Sequence, residues 1–141
     1  MNRRIADGLA AGAAGAVLSG APSTALTLAT GGDVLESTRA VGRGSVVAGG
    51  AVHVVISLGW GVVLAAALPR RHTVLAGAAA GLLIAWLDLG VIGRRLPTIR
   101  ALDWRPQLLD HVAYGVIVGA VLSRRRSSAP VRAPGAAGSR P

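Results

Sequence analysis

Apolar positions in this chain come in long blocks, and the charges lie mostly between the blocks. Four stretches are nearly free of charge: "IADGLAAGAAGAVLSGAPSTALTLAT" at 5–30, "SVVAGGAVHVVISLGWGVVLAAALP" at 45–69, "TVLAGAAAGLLIAWLDLGVIG" at 73–93, and a run from Gln107 to Ser123. An α-helix needs about twenty such residues to cross a hydrocarbon core about 30 Å thick, and about seventeen suffice. The pattern therefore predicts an all-α polytopic membrane protein. Its four transmembrane helices would form one domain over 1–123.

The first run differs from the others. It is built mostly of Ala and Gly, which makes its insertion energy marginal, and Pro22 interrupts it. A proline inside a span frees a backbone carbonyl that needs a donor nearby. Arg3 and Arg4, an apolar stretch and the small residues near Ser23 to Ala25 also resemble a secretory signal. Because three hydrophobic spans follow, the expectation is that the first one is retained.

The connections are polar. Residues 31–45 carry Asp33, Glu36, Arg39 and Arg43 and read as a loop with a short interfacial helix. Pro69, Arg70 and Arg71 close the second span so tightly against the third that the two read as an antiparallel hairpin. "RRLPTIRALDWRP" at 94–106 belongs at the water interface, with Trp104 at headgroup level. Residues 124–141, ending "SSAPVRAPGAAGSRP", have almost nothing to bury and read as a disordered basic tail.

Charge adds orientation. The formal charge of +9 comes from 15 Arg and no Lys. These arginines flank apolar blocks and do not line a groove with interleaved aromatics, so nucleic acid is not an expected partner. Four spans put both termini on one side of the membrane. That side carries nine Arg, at 3, 4, 70, 71, 124, 125, 126, 132 and 140, against six on the other. The positive-inside rule then places both termini in the cytoplasm, in a cytoplasmic membrane. The bilayer is the first partner. The run Arg124, Arg125, Arg126 is a candidate for anionic lipid headgroups, although orientation explains it equally well. Cysteine is absent, which excludes disulfides and thiolate metal sites.

In this topology the few polar residues inside the spans fall at one depth. His53 near the start of span two, His111 near the start of span four and Asp88 near the end of span three all lie in the outer third of the bilayer, with Asp110 at the rim. Ser19, Ser23 and Thr24 of span one reach the same level. Residues four apart share a helix face. His53, Ser57, Gly61 and Ala65 form one such row, and His111, Gly115, Gly119 and Ser123 another. Span one offers Gly8, Gly12, Ala16 and Gly20, and span three Gly77, Gly81, Ala85 and Asp88. Small residues let helices approach closely in lipid, so Gly8, Gly12, Gly61, Gly77, Gly81, Gly115 and Gly119 are expected at helix contacts. The histidines should then point into the bundle. The likeness of the two His-headed rows hints at a duplicated two-helix unit, and the GxxxG pairs leave a homo-oligomer open.

Each polar residue also has a plainer role. Asp7 is placed to pair with Arg3 or Arg4, while Asp103 and His72 sit in connections facing water. Asp88 is a headgroup-level acid, a structural partner of His53 or His111, or part of a transport or catalytic site. His53 is a packing histidine or a titrating one. Two His and two Asp have the chemistry to hold zinc, but no HExxH-type spacing is present, and no metal or cofactor is expected.

"HVVISLGWGVVLAAALPRRHTVLAGAAAGLLIAWLDLGVIG", the "LDW" connection and the final "DHVAYG", covering 53 to about 123, resemble the YagU-like family of small bacterial inner-membrane proteins. This chain has Asp88 where the family pattern would have His in span three, and a shorter connection between spans one and two. The resemblance implies membrane residence and a multi-span bundle, and implies no activity. No nucleophile and base arrangement suggests an enzyme. The expectation is a non-enzymatic accessory or stress-associated membrane protein whose cluster of His53, Asp88, Asp110 and His111 is structural. The alternative is a small oligomeric proton-coupled or ion-conducting transporter.

Overall fold

A computed structural model describes residues 2–128. Four helical spans, Arg3–Thr30, Val46–Ala67, Thr73–Arg95 and Trp104–Ser127, are long and apolar enough to cross a bilayer. This is the architecture of a multi-pass membrane protein. Among the described residues there is no strand, and the all-α four-helix fold class holds. The disordered-tail expectation for 129–141 lies outside the described residues.

Span one is two helices, α1 (Arg3–Leu18) and α2 (Ala21–Thr30). The break falls at Ser19 and Gly20, ahead of Pro22, which sits in the first turn of α2. Amides in that turn have no intrahelical acceptor, so the missing N–H of Pro22 sacrifices nothing there. Proline thus starts the second half instead of kinking a continuous helix.

The loop after Gly31 contains α3 (Glu36–Val41), followed by α4 (Val46–Ala67), which is capped by Ser45 through its hydroxyl. Then comes α5 (Thr73–Ala85), which runs on as a π-helical segment (Trp86–Ile92) and a short 3-10 turn (Gly93–Arg95). A single turn, α6 (Pro97–Arg100), leads to α7 (Trp104–Ser127). The last span is longer at both ends than 107–123. Asp103 caps it by accepting a hydrogen bond from the Arg105 amide (3.0 Å), so Asp103 terminates a helix and is more than a solvated loop residue. Pro106 is tolerated in the first turn. At the far end Arg124 to Arg126 continue the helix, where cations oppose the negative pole of its dipole. The predicted domain limit at 123 therefore moves to the end of α7.

The order across the bundle is α4, α1, α7, α5, with α2 leaning on α7. Spans two and three are joined by the short Leu68–His72 turn, yet they do not pack along their lengths as a hairpin. α4 lies on α1 and α5 lies on α7. Glycine decides this. A Cβ on Gly8 would come within 2.6 Å of the Val62 backbone, and one on Gly12 within 2.6 Å of the Ser57 carbonyl; Gly61 faces both glycines. On the other side Gly77 meets Gly115, Gly81 meets the His111 carbonyl, and Gly119 meets Thr73. The two close-packed pairs are thus spans one with two and three with four, the pairing that a duplicated two-helix unit would have. Where the pairs meet, Ala11, Leu64, Tyr114, Val118 and Leu122 form the core. The outer faces carry Val47, Val55, Leu75 and Leu83, exposed as lipid-facing positions are.

Candidate functional site

The polar groups concentrate at the end of the bundle that holds the α2–α3 and α6 connections, the loop end. α7 organises them because consecutive residues on a helix point about 100° apart. Asp110, Tyr114, Val118 and Leu122 form the row facing the first span; His111, Gly115 and Gly119 form the row facing α5. Asp110 and His111, adjacent in sequence, therefore serve different interfaces.

On the first face, Asp110 Oδ1 accepts a hydrogen bond from the Ser23 amide (3.0 Å). Ser23 lies in the first turn of α2, whose capping position is Gly20 and has no side chain to offer. Asp110 supplies that cap from another helix, and its carboxylate also suits the positive end of the α2 dipole. On the opposite side of the same break, His53 Nε2 donates to the Ala16 carbonyl (3.1 Å) in the last turn of α1. A carbonyl only accepts, which fixes the proton on Nε2. One of the carbonyls that the interruption in span one leaves without an intrahelical donor is thus satisfied, with the donor coming from α4. His53 itself is exposed at the rim of the α1–α4 contact. It does not point into the bundle, since the close approach of Gly12 to Ser57 leaves no room for a ring between the backbones.

The second face holds His111 and Asp88. His111 Nδ1 donates to the Gln107 carbonyl (2.7 Å), and Nε2 lies 3.3 Å from Asp88 Oδ2. With Nδ1 committed, the Nε2 to Oδ2 contact needs one proton, and the pair is neutral overall whichever atom carries it. That matters in lipid, where an isolated charged side chain costs at least about 2.5–3.5 kcal/mol. Asp88 sits in the π-helical segment, in which the Gly93 amide bonds back to the Asp88 carbonyl.

The four predicted residues therefore do not meet as one cluster; they make three separate contacts: His111 with Asp88, Asp110 with Ser23, and His53 with Ala16. Three further side chains join them. The Tyr114 hydroxyl donates to the Ser57 carbonyl, its ring lying over Gly15, and ties α7 to α4. Gln107 Nε2 donates to Ser37 Oγ (2.8 Å), and Thr98 Oγ1 to the Ala40 carbonyl (3.0 Å), which fasten α3 over this end. Tyr114 had one sequence signal: it is the single tyrosine, four residues beyond Asp110 and so on its face. Among the described residues, no buried side-chain nitrogen or oxygen lacks a hydrogen-bond partner, and no three His, Asp or Glu side chains are grouped to hold a metal.

At the termini end, Asp7 accepts from Arg125 Nε (2.9 Å) and lies 3.9 Å from Arg3. Its closer partner is the distant Arg125 of α7, where the spacing in sequence pointed only to Arg3 or Arg4. Arg126 donates to the carbonyls of Ala65 (3.0 Å), Leu68 and Pro69 (3.2 Å each), closing the C-terminus of α4.

No protein-family model, curated protein or solved structure matches this chain.

Proposed function

We propose that the protein is a non-enzymatic accessory component of a bacterial cytoplasmic membrane, with both termini in the cytoplasm. Its loop-end polar residues hold a discontinuous first span in one shape. The observation that carries this reading is the closure of the break in span one by His53 from α4 and Asp110 from α7. His53 through Nε2 and Asp110 through Oδ1 each meet a backbone partner, as a structural role requires. The resemblance of residues 53–123 to the YagU-like family is in keeping with this assignment. Purified His53→Ala and Asp110→Ala should each melt at a lower temperature than the parent, with no ion or proton flux into proteoliposomes for any of the three. Flux through the parent that disappears in either variant at unchanged melting temperature contradicts the proposal.

A second reading rests on a different observation. The Asp88–His111 contact needs a proton on Nε2 or Oδ2, and Asp88 sits on a π-helical turn, a feature frequent at functional sites. A small proton-coupled transporter working as an oligomer would use that pair. Proton uptake into proteoliposomes that is lost in Asp88→Asn, with the fold retained, would select it.

A further inference from the structure

The termini end contains a cleft of about 480 Å³ whose wall is cationic. Three segments far apart in sequence converge on it. Arg3 and Arg4 come from the start of α1, Arg70 from the α4–α5 turn, and Arg125 and Arg126 from the last turn of α7. Asp7 is the one acid in the lining. A smaller cleft of about 270 Å³ adjoins it, sharing Arg3, Asp7 and Arg125 and adding Arg124.

The positive-inside rule accounts for arginine at this end but not for its convergence around one space. Orientation depends on how many cations flank the spans, and solvated side chains repelling one another would spread apart. Here the guanidinium groups divide their roles. Arg126 is committed to the α4 carbonyls and Arg125 and Arg3 to Asp7, whereas Arg4 and Arg70 have no acid within ion-pair distance among the described residues. Two unpaired guanidinium groups at the wall of one cavity suit a phosphate oxyanion, which accepts paired N–H donors in a planar fork. Ala66 and Pro69, both exposed, give the same cleft an apolar patch. An amphiphile with its phosphate at the arginines and the first carbons of its acyl chains against that patch matches both linings, at the level where the spans end.

We infer that this cleft is a phosphate-oxyanion site, occupied in the bilayer by the headgroup of an anionic phospholipid and contacted chiefly through Arg4 and Arg70. The site is thereby distinct from a simple Arg124 to Arg126 patch, because Arg126 is occupied within the protein.

The full chain in a neutral detergent is titrated with short-chain phosphatidylglycerol, with phosphatidylcholine of the same chain length, and with inorganic phosphate, and its melting temperature is read. Phosphatidylglycerol should raise the melting temperature in a saturable way and phosphatidylcholine should not. In R4Q/R70Q the half-saturating concentration should rise by roughly tenfold or more, the effect of losing about one charge-assisted contact. The ligand-free melting temperature should stay near that of the parent, because neither side chain makes a hydrogen bond or ion pair among the described residues. R94Q/R95Q, which removes as much charge at the loop end, should leave the titration unchanged. A comparable response to millimolar inorganic phosphate upholds the site and assigns it to free phosphate. Equal responses to both lipids, no response to any of the three, or a response unchanged in R4Q/R70Q overturns the inference.

Discussion

Asp110 and His111 show how one peptide bond separates two roles. Asp110 acts as the cap that Gly20 cannot be, and loss of a capping acceptor typically costs about 0.5–2 kcal/mol. Asp110→Ala should therefore lose stability in that range, while Asp110→Asn, which keeps an acceptor oxygen, should lose clearly less; chemical denaturation in mixed micelles measures the difference. His111 and Asp88 are coupled across α5 and α7, and interhelical polar pairs in membranes are worth roughly 0.6–2 kcal/mol. A double-mutant cycle on His111→Ala and Asp88→Ala should return a coupling energy of that size. A value near zero would mean that the 3.3 Å contact contributes nothing to the fold.

Among the elements, the helix pairs are set by where the chain has no side chain at all. Lipid offers no hydrophobic drive for one helix to meet another, so close backbone approach and polar bonds decide the pairing. Gly81 and Gly59 test this within one fold. A Cβ on Gly81 would run into the His111 carbonyl, whereas Gly59 has nothing within 4 Å of that position. Gly81→Val should cost about 1–3 kcal/mol through overpacking. Gly59→Ala should be neutral or stabilising by up to about 1 kcal/mol, since glycine is a poor residue for a helix interior. Melting temperatures of the two variants should move in opposite directions, or one fall while the other stays put. The same logic explains why the short turn after Pro69 does not make a hairpin. A tight connection constrains only the helix ends, whereas the glycine ridges match α4 to α1 and α5 to α7 along their lengths.

For the whole molecule, orientation has a direct test because the chain contains no cysteine. Single cysteines at Arg100, in α6 at the loop end, and at Arg71, in the turn at the termini end, report opposite sides of the membrane. An impermeant maleimide should label Arg100→Cys in intact cells and Arg71→Cys only after permeabilisation. The reverse pattern would invert the topology. The termini end holds five arginines around one aspartate in its cleft.

The number of spans, their helical character and the small-residue ridges were all legible in the sequence, because segment length, residue size and residue spacing are local properties. The extended ends of α7 were legible only in part: Asp103 is a capping residue type, but its neighbours Arg105 and Pro106 read as interface. What only the tertiary structure decided is which group meets which. Asp110 reaches Ser23, His53 reaches Ala16, Tyr114 reaches Ser57 and Arg125 reaches Asp7 across separations that no periodicity encodes. A span's own pattern states that a face is small or polar; the partner for that face follows from how all four helices share their close contacts, and that is a property of the assembled bundle.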